Sequence, residues 1–223
     1  MTRLCRSLII LSTFLLFASF AAAQTSVDVN LGFGSYHDSA TGAGIDNALS
    51  LNAFGGCALS SGDTFCEATP KMGSFFLDFG GDVMFWKHLG AGFAIDVQPS
   101  THSYGPLNYR QSFYDANAIY APISAKRVSL RLEGGIGEAR TSFGFSQSGC
   151  VGTAVCNTSN EPVGSSGHFD VHFGVGVQIY VTEHVFIRPQ FDYHYVPGLT
   201  NQFGSNSVPG GTIWVGYTFG GGG

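Results

Sequence analysis

The residues able to do chemistry here are ionisable side chains set at alternate positions within otherwise apolar stretches. They are Asp78, Asp96, Arg131, Glu133, Asp170, His172, Arg188 and Asp192, with Asp82, Asp115 and His194 in the same phase. Carboxylates that face arginines and histidines in a confined space either neutralise one another as a plug or pass ions along a gated path. His168, Asp170 and His172, with His194 on a neighbouring segment, could in principle meet at a metal, but their spacing is not specific to metal binding. No metal ligand is assigned on that basis. Nucleophilic catalysis needs a hydroxyl held against a base. His102-Ser103 is the sole His-Ser neighbour pair and no Gly-x-Ser-x-Gly elbow occurs, so neither a catalytic residue nor a cofactor is assigned.

A two-residue period requires strands with two unlike faces. From His168 to Val181, Phe169, Val171, Phe173, Val175, Val177, Ile179 and Val181 form one face, and His168, Asp170, His172, Gly174, Gly176, Gln178 and Tyr180 form the other. A soluble sandwich would turn the greasy face inward. The charges and glycines opposite it suit a crowded lumen instead, with lipid outside. Eight such stretches are predicted, at 26–35, 74–86, 91–98, 112–121, 127–141, 168–181, 185–195 and 211–219. The connections alternate between long and short, at about 38, 4, 13, 5, 26, 3 and 15 residues. The expected fold is therefore all-β: an eight-stranded antiparallel transmembrane up-and-down barrel, with short periplasmic turns, long external loops and both termini periplasmic.

Composition agrees. Charged residues are 11% of the chain, against roughly 25% in soluble domains, while 32 glycines, 20 phenylalanines and 9 tyrosines stand out. Residues 1–23 carry Arg3 and Arg6, an apolar run from Leu8 to Phe20, and Ala21-Ala22-Ala23 before Gln24, the layout of a cleaved signal peptide. The expected organisation is thus a leader at 1–23, a barrel at 24–219 and a glycine tail at 220–223. Loss of Arg3 and Arg6 with the leader leaves eight basic residues against 15 acidic ones, so no basic patch for nucleic acid exists. Four cysteines remain. Four allow three connectivities, of which Cys57 with Cys66 and Cys150 with Cys156 close the shortest loops, each within one external loop.

The run Gly174-Val-Gly-Val-Gln-Ile-Tyr-Val-Thr-Glu-His-Val-Phe-Ile-Arg-Pro-Gln-Phe-Asp-Tyr193, with Ile213-Trp-Val-Gly-Tyr-Thr-Phe219, resembles the second half of the OmpA-like, opacity-type family of small outer-membrane β-barrels. Phe79 to Ile95 is similar to that family's early hairpin. In one departure, Phe219 is followed by four glycines, where such barrels usually end on an aromatic residue.

The expected role is non-enzymatic, a barrel in the bacterial outer membrane that meets lipid and lipopolysaccharide around its wall and an extracellular partner through its loops. A closed barrel has no free strand edge, which favours a monomer. A narrow gated pore and a lipid-modifying enzyme are the alternatives.

Overall fold

Strand pairing builds the molecule as a closed ring. The computed structural model describes residues 25–38, 45–47, 66–68, 73–104, 107–151, 155–199, 203 and 205–220. The expected leader, Cys57, most of loop 36–73 and the last three glycines lie outside the described residues. Eight strands form the wall: β1 (Ser26–His37), β2 (Gly73–Met84), β3 (Leu89–Val97), β4 (Leu107–Ser124), β5 (Val128–Val151), β6 (Val155–Tyr180), β7 (Val185–Tyr195) and β8 (Ser207–Gly220). Each is antiparallel to its chain neighbours, and β1 closes the ring against β8 from Ser26 opposite Gly220 to Tyr36 opposite Gly210. Short strands Ile45–Asn47 and Cys66–Ala68 pair within the first loop, and His102–Tyr104 folds back on β4.

Alternation decides which side chain goes where. Along β6, Phe169, Phe173 and Val175 are half or more exposed, whereas Asp170, His172 and Gln178 are almost wholly buried. The same split recurs on every strand, so Val29, Leu31, Phe33, Phe75, Phe79, Phe93, Ile136, Phe191, Ile213 and Val215 make a continuous apolar belt. Soluble monomers rarely expose apolar patches beyond a few hundred Å². The solvent around this wall is lipid, and the ring leaves no unpaired strand edge in it.

The strands differ from expectation at the loop end, opposite the termini. The expected loop of about 26 residues between the fifth and sixth strands is itself strand. Pairing continues from Ala139 opposite His168 to Val151 opposite Val155, leaving only 152–154 as connection. Long and short connections therefore do not alternate throughout. Loop sequence that leaves the bilayer no longer needs an apolar face, so polar residues such as Ser146, Gln147 and Ser148 pair without showing a period-two signal. The register shifts beside Phe143, where Val163 has no partner. A second bulge lies between Tyr120 and Ile123, at Pro122, which has no N–H to donate to the ladder.

Replacing Val175 on the belt with Arg is expected to destabilise the barrel in lipid by about 2–4 kcal/mol, whereas Val175→Leu is nearly neutral. Urea titration of the protein refolded into vesicles measures both. Equal tolerance of the two changes would reverse the assignment of faces.

Candidate luminal site

The buried side chains of the barrel interior fall into three levels. Nearest the termini, Arg131 of β5 reaches across the lumen to Asp28 of β1, Nη2 to Oδ2 at 3.0 Å, and its Nη1 lies 2.7 Å from Met84 Sδ. Met84, Ile119 and Ala121 pack together beside it. Above them Arg188 of β7 sets Nη1 between Asp82 at 2.9 Å and Glu133 at 3.2 Å, with its guanidinium 5.5 Å from the Trp214 ring. That bulky indole fits because the wall beside it is glycine. A Cβ on Gly32 would come within 2.9 Å of the ring, and one on Gly80 within 3.2 Å.

The middle level belongs to histidines. His172 contacts Asn117 Oδ1 through Nδ1 at 2.9 Å and Asp192 Oδ1 through Nε2 at 3.1 Å. Asp192 also accepts from Gln190 Nε2 and from Thr212 Oγ1, each at 2.7 Å. His194 sits between the rings of Phe113 and His172, at centroid distances of 4.3 and 4.7 Å, and donates from Nδ1 to Asp170 at 2.6 Å. Tyr36 donates its hydroxyl to Asp96 at 3.1 Å.

The third level is an apolar lid. Tyr36, Phe76, Leu107, Tyr109, Phe113, Phe143, Val196, Leu199, Phe203 and Val208 form one buried cluster, to which the chain between β7 and β8 contributes Val196, Leu199 and Phe203. Gly198 makes this turn with φ of +89°, in the left-handed region.

All eight residues singled out from the sequence point into this interior and are buried, but their partners differ from the expected ones. Adjacency in the ring alone would bring the arginines to Asp170 and His172 on the strand between them. Arg131 instead bridges to Asp28 of β1 and Arg188 to Asp82 of β2 and Glu133 of β5, while Asp170 and His172 pair with His194 and Asp192. Asp28 and Asp82 therefore belong to the network. Their inward phase was visible in the sequence, but their height in the barrel was not. The quartet His168, Asp170, His172 and His194 does not assemble, because half-buried His168 bonds Ser166 at 2.9 Å near the rim.

Two other features sit at the loop end. Ser74 Oγ lies 2.9 Å from His102 Nε2, so His102 meets a serine on β2 rather than its neighbour Ser103. Among the described residues no carboxylate pairs with this histidine, so the base lacks the third group that orients it in a triad. A cleft of about 280 Å³ at the root of the β5–β6 hairpin is lined by Asn108, Arg110, Ser142, Phe143 and Glu161 among others.

No protein-family model matches the chain, and no curated protein does. Its fold does have solved counterparts. Ail, the attachment invasion locus protein of Yersinia pestis, aligns with a TM-score of 0.50 at 11% identity over 88% of this chain and 99% of its own. A major outer membrane protein from Thermus thermophilus gives 0.50 at 12%, over 87% and 99%. The outer membrane protein OprG from Pseudomonas aeruginosa gives 0.49 at 14%, over 89% and 97%. At these identities the likeness is one of fold: an eight-stranded barrel of the outer-membrane kind.

Arg188→Ala would strand Asp82 and Glu133 together and is expected to cost about 3–5 kcal/mol, as removal of one partner from a buried ion pair does. Arg131→Ala strands Asp28 alone and should cost less. Urea unfolding in detergent measures both, and two unchanged curves would mean that water, not the arginines, solvates these carboxylates.

Proposed function

We propose that this chain is a non-enzymatic outer-membrane protein of the OmpA-like kind, in which a closed barrel serves as anchor and the loop end carries the contact surface. The carrying observation is that buried ion pairs cross the lumen and an apolar cluster lies over them at the loop end, while the β5–β6 hairpin extends beyond the wall. A conducting path would have to break the Arg188 bridges and displace Leu199 and Phe203. A deacylase would need an orienting acid for His102. Binding on a rigid scaffold usually resides in its loops.

In this reading residues 1–23 export the chain, the termini and short turns face the periplasm, and the apolar belt meets lipid and lipopolysaccharide. The paired wall edges favour a monomer. The external partner engages the hairpin and the cleft at its root, where Arg110 and Glu161 offer charges of both signs. Two disulfides stiffen this surface. Cys150 and Cys156 are direct cross-strand partners, and such pairs hold their Cα atoms about 4.5–5.5 Å apart, within the span of a disulfide. Cys66 pairs with Asn47 in the first loop, and Cys57 is its proposed partner.

Recording from planar bilayers tests the closed lumen: no conductance steps are expected, and a stable ohmic current would replace this reading with the narrow pore. Lipid A mass analysis of cells that express the protein should show no change; a lost acyl chain would establish the enzyme. Digestion without reductant should release Cys57 linked to Cys66 and Cys150 linked to Cys156. Free thiols or a link between the loops would remove the staples.

A further inference from the structure

The middle level of the lumen holds more carboxyl groups than basic partners. Among the described residues eight buried carboxylates stand on the wall strands, Asp28, Asp78, Asp82, Asp96, Asp115, Glu133, Asp170 and Asp192, with buried Asp38 just beyond β1, and they face two buried arginines and two buried histidines. The arginines are spent near the termini on Asp28, Asp82 and Glu133, and His172 is spent on Asp192. That leaves an arc of four aspartates on β2, β3, β4 and β6. Asp78 is opposite Asp96, and Asp115 and Asp170 both register with Gly137 between them. A side chain at Gly137 would run into Asp115, so the glycine keeps the arc open. Among the described residues His194 alone comes within ion-pair distance of any of these four acids, its Nδ1 2.6 Å from Asp170 and 3.9 Å from Asp115.

A second observation concerns what these groups lack. Oδ1 of Asp96 and Nε2 of His194 are buried without a hydrogen-bond partner, and the oxygens of Asp78 and Asp115 meet no N–H or hydroxyl donor, each facing only another carboxyl, that of Asp96 and of Asp170. Buried polar groups are ordinarily satisfied, and buried charges are paired or coordinate a metal. One oxygen of Asp96, one of Asp115 and one nitrogen of His194 lie within 4.8 Å of one another, close enough to converge on a single ion. We propose that Asp96, Asp115 and His194 hold a divalent transition cation in the sealed lumen, with Asp170 as the positioning residue for the histidine. A carboxylate that accepts from one ring nitrogen fixes the tautomer and leaves the other nitrogen a lone pair for a metal, the usual outer-shell arrangement at such ligands. Two carboxylates with one imidazole suit Mn²⁺, Fe²⁺ or Zn²⁺ better than Ca²⁺, which takes oxygen throughout. The apolar cluster lies above the site and the arginine bridges below it, so in this proposal the ion enters as the barrel closes and binding is coupled to folding.

The test refolds the mature chain from urea into detergent with Mn²⁺, with Zn²⁺ or with chelator alone, then strips loose metal with chelator before elemental analysis. The expected result is about one ion retained per chain and a higher urea midpoint than for protein refolded in chelator. Asp115→Asn and His194→Gln should refold, shown by heat-modifiable migration, and retain none. Asp28→Asn, a luminal carboxylate outside the arc, should retain the ion. No retained metal in the unaltered protein, or equal retention by Asp115→Asn and His194→Gln, overturns the site and leaves protons as what neutralises the arc. If those two variants do not refold, spin-echo spectroscopy of the unaltered protein loaded with Mn²⁺ decides. Modulation from a directly bound histidine nitrogen supports the site, and its absence overturns it.

Discussion

The pairing of β1 with β8 is the contact on which the rest depends. A sheet that spans hydrocarbon cannot leave a row of N–H and C=O groups facing it, since each unsatisfied group costs several kcal/mol. Eleven registered residue pairs between Ser26 and Tyr36 on one side and Gly210 and Gly220 on the other remove that edge. Once the ring is closed, the two faces of every strand have different solvents, and the period-two pattern has one physical solution. Closure also sets the width. Eight strands enclose just enough room for side chains, so what points inward has to fit and has to be neutralised there.

Filling that space sorts the interior by size and charge. Trp214 is accepted because Gly32 and Gly80 give way to it, and the arginines reach across the axis to strands that are not their neighbours in the ring. The apolar lid then separates this charged interior from the loops.

The inside and outside of the wall were legible in the sequence because lipid imposes a strict alternation. Val175 and Gly174, adjacent in the chain, fall on opposite faces as their phase requires. Phase says nothing of height, however. Whether Arg131 meets Asp28 or Asp170 depends on strand tilt and stagger, which no single strand encodes. The hairpin was hidden for a different reason. Beyond Phe145 the chain is out of the apolar belt, so the strand pairing of Ser146, Gln147, Thr158 and Ser159 leaves no apolar alternation and reads as loop. His168 shares the inward phase of Asp170 yet bonds Ser166 near the rim, because the lumen ends before the strand does.

That hairpin has a reach as well as a sequence. β4 accompanies β5 only as far as Leu107 opposite Phe145, and six further residues of each strand continue as a two-stranded ribbon. At about 3.4 Å per residue the ribbon adds roughly 20 Å of length beyond its last support. A two-stranded ribbon is marginal by itself, so a covalent rung near its tip would turn a floppy tether into a stiff mast. The tip of the hairpin then stands well clear of the belt, at a distance set by counting residues.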